Sequence, residues 1–209
     1  VLRGSAQVAK TQIGINWLGY IADMAPGSMI MAFPSIDERS KFSNLRLQPS
    51  IDASPRMAEL IHDQVSRDEK GSTTTLKKFS GGWAQLITTS SSKGMQGLPI
   101  RYVFGDEVAE WPLDTDGRGG PIEQLDTRQK TFGDLAKSFF TSTPGVKGIC
   151  KISKLYEEGD QRVRYLPCPH CGDFSPLRYE RMKPGDSRTN HIPYFDCPAC
   201  GCAIEQHHR

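Results

Sequence analysis

Three short stretches carry residues whose types and spacing could do chemistry on a phosphorylated ligand. Residues 4–11 read G-S-A-Q-V-A-K-T. A phosphate-cradling loop has the form G-x-x-x-x-G-K-[ST]. Here Gly4 opens the loop, Ser5, Ala6, Gln7 and Val8 fill it, Ala9 stands where the second glycine belongs, and Lys10 and Thr11 close it. In such a loop the backbone N–H groups curl around phosphate oxygens at the positive end of a helix. Lys10 would reach the β- and γ-phosphates, and Thr11 would give its hydroxyl to Mg²⁺. Ala9 can be accepted in this reading only if its φ is negative and its methyl points away. The plainer alternative is a turn that opens an amphipathic helix.

The second stretch, "RYVFGDEVAEW", runs apolar residues into Asp106 and Glu107. An acid just past a buried strand can hold Mg²⁺ through water, and a second acid beside it can orient and deprotonate an attacking water. The competing reading is a helix N-terminus, where acids are favoured. The third stretch, "FFTSTPG", offers Thr141, Ser142 and Thr143. Hydroxyls there could sense a γ-phosphate, or be ordinary turn chemistry before Pro144.

A different chemistry sits near the end of the chain. Cys168 and Cys171 in "CPHCG", and Cys197 and Cys200 in "CPACG", form two C-x₂-C pairs. Two such pairs facing each other give tetrahedral S₄ coordination, which suits Zn²⁺ with no open position, hence a structural site. Clustering in pairs, without a secretion signal, argues metal over disulfides. Cys202 is a spare, Cys150 reads as a buried helix residue, and His170 and His191 read as surface histidines beside a complete shell.

These residues need elements to hold them. A helix follows the loop through "KTQIGINWLGYIADM", with Ile13, Trp17, Leu18 and Ile21 at helical spacing. "SMIMAFPS" (28–35) reads as a buried strand. "SIDERSKFSNLRL" and "SPRMAELIHDQV" read as short helices, each preceded by serine. "TTTLKKF", "SGG" and "WAQLITTS" read as a β-hairpin. Strands are expected within 99–107 and 135–145, and a helix over roughly 147–158. Strands alternating with helices argue an α/β domain with a largely parallel sheet, whose ligands bind beyond the carboxyl ends of the strands. All three candidate stretches lie at such ends. From Gln161 on, short extended pieces surround the cysteines, too few to hold a core without metal.

The bulk numbers agree with a globular chain: 209 residues, 37% hydrophobic, 24% charged. A formal charge of +2 is too mild to announce a nucleic-acid binder and does not exclude one. No apolar run approaches a membrane span. Only Val1 and Leu2 precede Arg3 and the loop, so the chain is read as starting inside the strand that feeds it, a strand expected to be central in the sheet. The C-terminal end is read as a cut as well.

Taken in order, "SAQVAKTQ", "FPSIDERSKFSNLRLQPSI", "SSSKGMQGLPIRYVFGDEVAEWP", "RQKTFGDLAKSFFTSTPG" and "YEEGDQRVRYLPCPHCG" resemble the large terminase subunit of tailed phages, of the lambda-like GpA family. The resemblance covers nearly the whole chain. It implies a P-loop NTPase-type motor domain over 1–157 and a zinc ribbon over 158–209. The activity implied is ATP hydrolysis that drives double-stranded DNA into a procapsid. Carried across by position, Gly4 to Thr11 resembles the Walker A loop, with Lys10 catalytic. Asp106 resembles the Walker B acid, Glu107 the catalytic glutamate, and Ser142 and Thr143 the coupling motif. ATP, Mg²⁺ and Zn²⁺ are the implied cofactors. The implied partners are the terminase small subunit, the portal and procapsid, and further copies in a homo-oligomeric ring, in the host cytoplasm and without a membrane. Such rings complete each site with an arginine from a neighbour, for which Arg39 and Arg46 are candidates. A nuclease domain that cuts concatemeric DNA is expected beyond Arg209. Two other readings stay open: a non-catalytic zinc-ribbon DNA-binding or assembly module with a vestigial loop, and a helicase-like ATPase.

Overall fold

A computed structural model of the chain describes residues 1–62, 71–185 and 192–208. The last residues of the short helix predicted over 54–65 lie outside the described residues, as does His191. The chain forms two compact units, Val1–Gly159 and Asp160–Arg209.

The first unit is built on a six-stranded sheet. Its strands are β1 (Leu2–Arg3), β2 (Ser28–Phe33), β3 (Leu76–Phe79), β4 (Gly82–Thr88), β5 (Tyr102–Gly105) and β6 (Lys137–Ser142), in the order β1-β6-β5-β2-β4-β3. Only the β3–β4 hairpin is antiparallel; the other pairings are parallel. β2 and β5 are buried on both faces, which is why "MIMAF" and "YVFG" read as unbroken apolar runs rather than alternating ones. β1 pairs only with β6 among the described residues, so in this chain it is an edge strand and not the central one expected.

The crossovers are helical and cover both faces. α1 (Lys10–Met24) buries Gly14, Ile15, Leu18, Ile21 and Ala22. Ile13, expected on that face, is instead 42% exposed. Gly14 takes its place in the contact, because a Cβ there would lie 2.5 Å from Phe104 Cζ on β5. The missing side chain therefore lets the helix lie directly on the sheet. After β2, Ser35 caps α2 (Ile36–Phe42) by accepting the Glu38 N–H at 3.2 Å. The helix runs on through a π-helical stretch (Ser43–Leu47) into α3 (Gln48–Ala53). Ser54 caps α4 (Pro55–Leu60). One apolar core lies between the sheet and these four helices, with Phe104, Leu18 and Met31 in it. A second packs the other face, where Trp111, Ile100 and Val103 meet Leu125 of α5 (Pro121–Gln129) and Ile152 of α6 (Lys151–Glu157). No helix among the described residues is long and apolar enough to cross a membrane.

The second unit has little such core. β7 (Leu166–Pro167) pairs with β8 (Phe174–Ser175), and β10 (Tyr194–Asp196) lies between β9 (Met182–Lys183) and β11 (Ala203–Ile204), all antiparallel. Its buried apolar cluster is Cys168, Cys197 and Ile204, with Leu177 and Phe195 against it.

Candidate functional site

Register brings the three candidate stretches to one sheet edge. Leu2 and Arg3 of β1 stand opposite Thr141 and Ser142 of β6, and Gly105 of β5 stands opposite Phe140. The chain therefore leaves β1 as Gly4, leaves β5 as Asp106 and leaves β6 as Thr143 at neighbouring points. The Gly4 N–H donates to Ser142 O at 3.2 Å, tying the loop's first residue to β6.

The loop reverses the chain from β1 into α1 in a few residues. It does so with left-handed backbone at Gln7 (φ 57°) and Ala9 (φ 59°, ψ 23°). The negative φ expected of Ala9 is thus overturned. Alternating backbone hands are what aim successive N–H groups into one concavity, and the turn imposes that geometry on the alanine. The cost of a Cβ in that region is about 1–2 kcal/mol, which is the physical reason glycine is usual there. Ser5, Ala6, Gln7, Val8 and Ala9 are exposed along the loop.

Lys10 is buried at 5% exposure. Its ammonium donates to Ser5 O at 2.7 Å and to Thr143 Oγ1 at 3.0 Å, and lies 4.0 Å from Glu107 Oε1. The Thr11 hydroxyl donates to Asp106 Oδ2 at 2.8 Å. Asp106 is also buried, and burial pushes its carboxyl above the usual range, against the Thr11 hydrogen bond, which lowers it. Its carbonyl accepts the indole N–H of buried Trp111 at 2.9 Å, which anchors the end of β5 in the core. Glu107 is left-handed (φ 45°, ψ 50°). That strained turn carries its carboxylate back toward β6, where Oε2 accepts from Ser142 Oγ at 3.1 Å and from the Thr143 N–H at 3.2 Å.

The structure thus joins Lys10, Thr11, Asp106, Glu107, Ser142 and Thr143 in one polar network. Their parts differ from a uniform set of ligand contacts. Ser142 is wholly buried and leaves no surface for a ligand; its oxygen is held between the Ala109 N–H and Glu107. Thr143 carries the hydroxyl that meets Lys10. Thr141 is turned into the protein, its hydroxyl buried without a partner, and takes no part.

Beyond this network opens a cavity of about 430 Å³, lined on its polar side by Thr11, Asp106, Glu107, Glu38, Lys41 and Arg46. Of the two candidate arginines, Arg46 lines it from the π-helical stretch, while Arg39 does not and keeps a buried, unpaired Nε. Glu38 and Lys41 were not singled out from the sequence. The available signal was their position just after β2, a strand whose carboxyl end lies beside that of β5.

In the second unit the ligand atoms of Cys168, Cys171, Cys197 and Cys200 all lie within 4.8 Å of one another. Cys168 and Cys200 sulfurs are 3.8 Å apart, and Cys171 and Cys197 sulfurs 3.7 Å. A tetrahedron of 2.3 Å Zn–S bonds has edges of about 3.8 Å, so the spacing fits zinc. Each pair sits on the same turn: Cys168 O accepts the Gly172 N–H, Cys197 O accepts the Gly201 N–H, and both glycines have positive φ. The Cys171 N–H leads the effects that draw Cys168 down to about 6. Cys200 is pushed up: the Cys202 N–H lowers it, but desolvation and neighbouring thiols outweigh that. None of the cysteines is in a disulfide. Cys150 is buried as expected but lies at the N-cap position of α6 and not inside the helix; its side chain makes no capping bond, and its sulfur accepts the Gly145 N–H at 3.0 Å. His170 is exposed, beside the His208 ring.

The family model of the phage terminase large subunit gpA, ATPase domain, matches residues 1–209. The terminase large subunit of Enterobacteria phage P21 is 29% identical over 218 residues, covering 97% of this chain and 32% of that protein. The terminase large subunit of Escherichia phage lambda is 24% identical, covering 88% of this chain and 28% of that protein. The chain therefore spans about a third of the length of these relatives. Among solved structures, the HK97 bacteriophage large terminase superposes with a TM-score of 0.58 at 14% identity, covering 75% of this chain and 31% of that one. The Thermus phage P74-26 large terminase ATPase domain gives 0.53 at 12%, covering 82% and 69%. Both share the fold.

Proposed function

The chain belongs to the phage terminase large subunit gpA ATPase-domain family, and on that premise we propose that Val1–Gly159 is the ATP-hydrolysing motor of a viral DNA-packaging machine. The observation that carries this reading is the convergence of Lys10, Thr11, Asp106 and Glu107, from two distant segments, on one sheet edge. The loop from Gly4 to Thr11 cradles the phosphates with its N–H groups, and Lys10 exchanges its bonds to Ser5 O and Thr143 for phosphate oxygens. Thr11 and Asp106, already hydrogen-bonded, are the residues that would hold Mg²⁺. The ion would neutralise charge on the β- and γ-phosphates. Glu107 takes the proton of the attacking water, and Ser142 together with the Thr143 N–H holds its carboxylate in place. Thr143, bonded to Lys10 and following β6, is placed to pass on the loss of the γ-phosphate.

The four cysteines hold a structural zinc ion in the ribbon. Double-stranded DNA is the cargo. The terminase small subunit, the portal and procapsid, and further copies in a ring are the partners, in the host cytoplasm. Arg46 or Arg39 would serve a neighbouring site. Cutting of concatemers belongs to a nuclease domain of the full-length protein.

Glu107→Gln tests the reading. Phosphate release should fall by roughly 10²–10⁴-fold, the usual worth of a general base, with ATP binding retained. Turnover at the wild-type rate would remove Glu107 from the mechanism.

A further inference from the structure

Glu38 lies in the first turn of α2, immediately after β2. Ser35 to Glu38 has the spacing of a reciprocal cap, in which the serine takes the glutamate's N–H and the glutamate returns a bond to the serine's N–H. Only the first half forms, at 3.2 Å. Glu38 instead lines the cavity it shares with Thr11, Asp106 and Glu107. Its Oε2 is shielded from solvent and has no hydrogen-bond partner.

That is a costly place for a carboxylate. Burial first, then the charges of Glu110, Glu107 and Asp106, push its carboxyl above the usual range. Lys41 offers little relief, since its ammonium is held by Asp37 at 2.7 Å. A helix N-terminus does favour acids, but exposed Asp37 meets that preference without facing the cavity. In a cavity that Lys41 and Arg46 also line, Glu38, Asp106 and Thr11 offer oxygen donors, the kind that hard divalent cations take, with Mg²⁺ keeping several of its waters.

We propose that Glu38 is a second carboxylate of the Mg²⁺ site, holding a metal-bound water from the β2 side while Thr11 and Asp106 hold the ion from α1 and β5. This rests on the nucleotide reading above. Glu38 acts as a positioning residue, through water.

Mn²⁺ is the probe, its binding to the full chain in the presence of ADP followed by electron paramagnetic resonance. ADP affinity in EDTA and the thermal midpoint are measured alongside. Glu38→Gln should weaken Mn²⁺ binding by roughly tenfold, the lower end for residues that act through a ligand. ADP affinity in EDTA should stay the same, and the midpoint should hold or rise, since an unpaired buried charge has gone. Glu38→Asp should fall between the two. Mn²⁺ affinity within twofold of wild type in Glu38→Gln would overturn the proposal and leave the nucleotide reading intact. So would a metal loss that merely follows a lower midpoint. Wild-type protein that binds neither ADP nor Mn²⁺ with ADP would overturn both.

Discussion

The two units solve the same problem, bringing four polar or thiol side chains to one point, by opposite means. In the first unit the groups come from segments far apart in sequence. Lys10 and Thr11 meet Asp106 and Glu107 because β1, β6 and β5 lie side by side in register. The positions are held by a sheet with an apolar core on each face. In the second unit each pair of cysteines sits on a single turn, and among the described residues Ile204 alone joins Cys168 and Cys197 in the buried apolar cluster, with Leu177 and Phe195 partly buried against it. A site on a large core can tolerate strain, as at Ala9 and Glu107, because the surrounding structure over-determines it. A site without a core depends on its ligand for its fold.

Metal removal sharpens this contrast most. Chelation, or Cys168→Ser, should unfold the strands of Asp160–Arg209, since structural zinc contributes on the order of 10 kcal/mol in small modules. The apolar unit should keep its secondary structure. Amide exchange resolved by segment reads both. A ribbon that keeps its protection without zinc would break the comparison.

A smaller effect is expected inside the motor unit. Ser142→Ala removes one of two donors to Glu107 Oε2. Such a bond to a charged group is worth about 1.5–3 kcal/mol. Turnover should drop by roughly 10–100-fold while ATP affinity stays near wild type. A loss of affinity in place of rate would mean that Ser142 serves the ligand directly.

The smallest change is at the loop. Ala9→Gly relieves a left-handed alanine, and the stabilisation, net of the added unfolded-state entropy, should be about 0.5–1 kcal/mol. The midpoint should rise by roughly 1–3 °C. A fall would show that the alanine's φ is unstrained in solution.

What the sequence disclosed follows the same division. Buried strands announce themselves as apolar runs, so "MIMAF" and "YVFG" were legible. The C-x₂-C spacing is local, so the thiolate cluster was too. The loop motif named Lys10 and Thr11, and the acids after β5 named their partners. Four features were hidden. The hand of Ala9 is set by how steeply β1 turns into α1, which composition does not encode. Helical spacing put Ile13 in the core, but the face that packs is chosen by Gly14 against Phe104. Nothing in the sequence distinguishes Glu38 from its neighbours in the first turn of α2; only the adjacency of β2 and β5 brings it to the cavity that Asp106 lines. Ser142 and Thr143 were recognisable as a pair. Their division of labour, one buried behind Glu107 and one facing Lys10, depends on register that adjacent letters do not show.

The central claim is that the amide-lined loop, its lysine and the paired carboxylates serve a single triphosphate. Calorimetric titration of Mg²⁺ and a slowly hydrolysed ATP analogue into wild type and Lys10→Ala tests it most directly. The account predicts one site per chain in wild type and a loss of at least about tenfold in the variant, the worth of one charge-assisted contact. Equal affinity in the two proteins, or no binding in wild type, would contradict it.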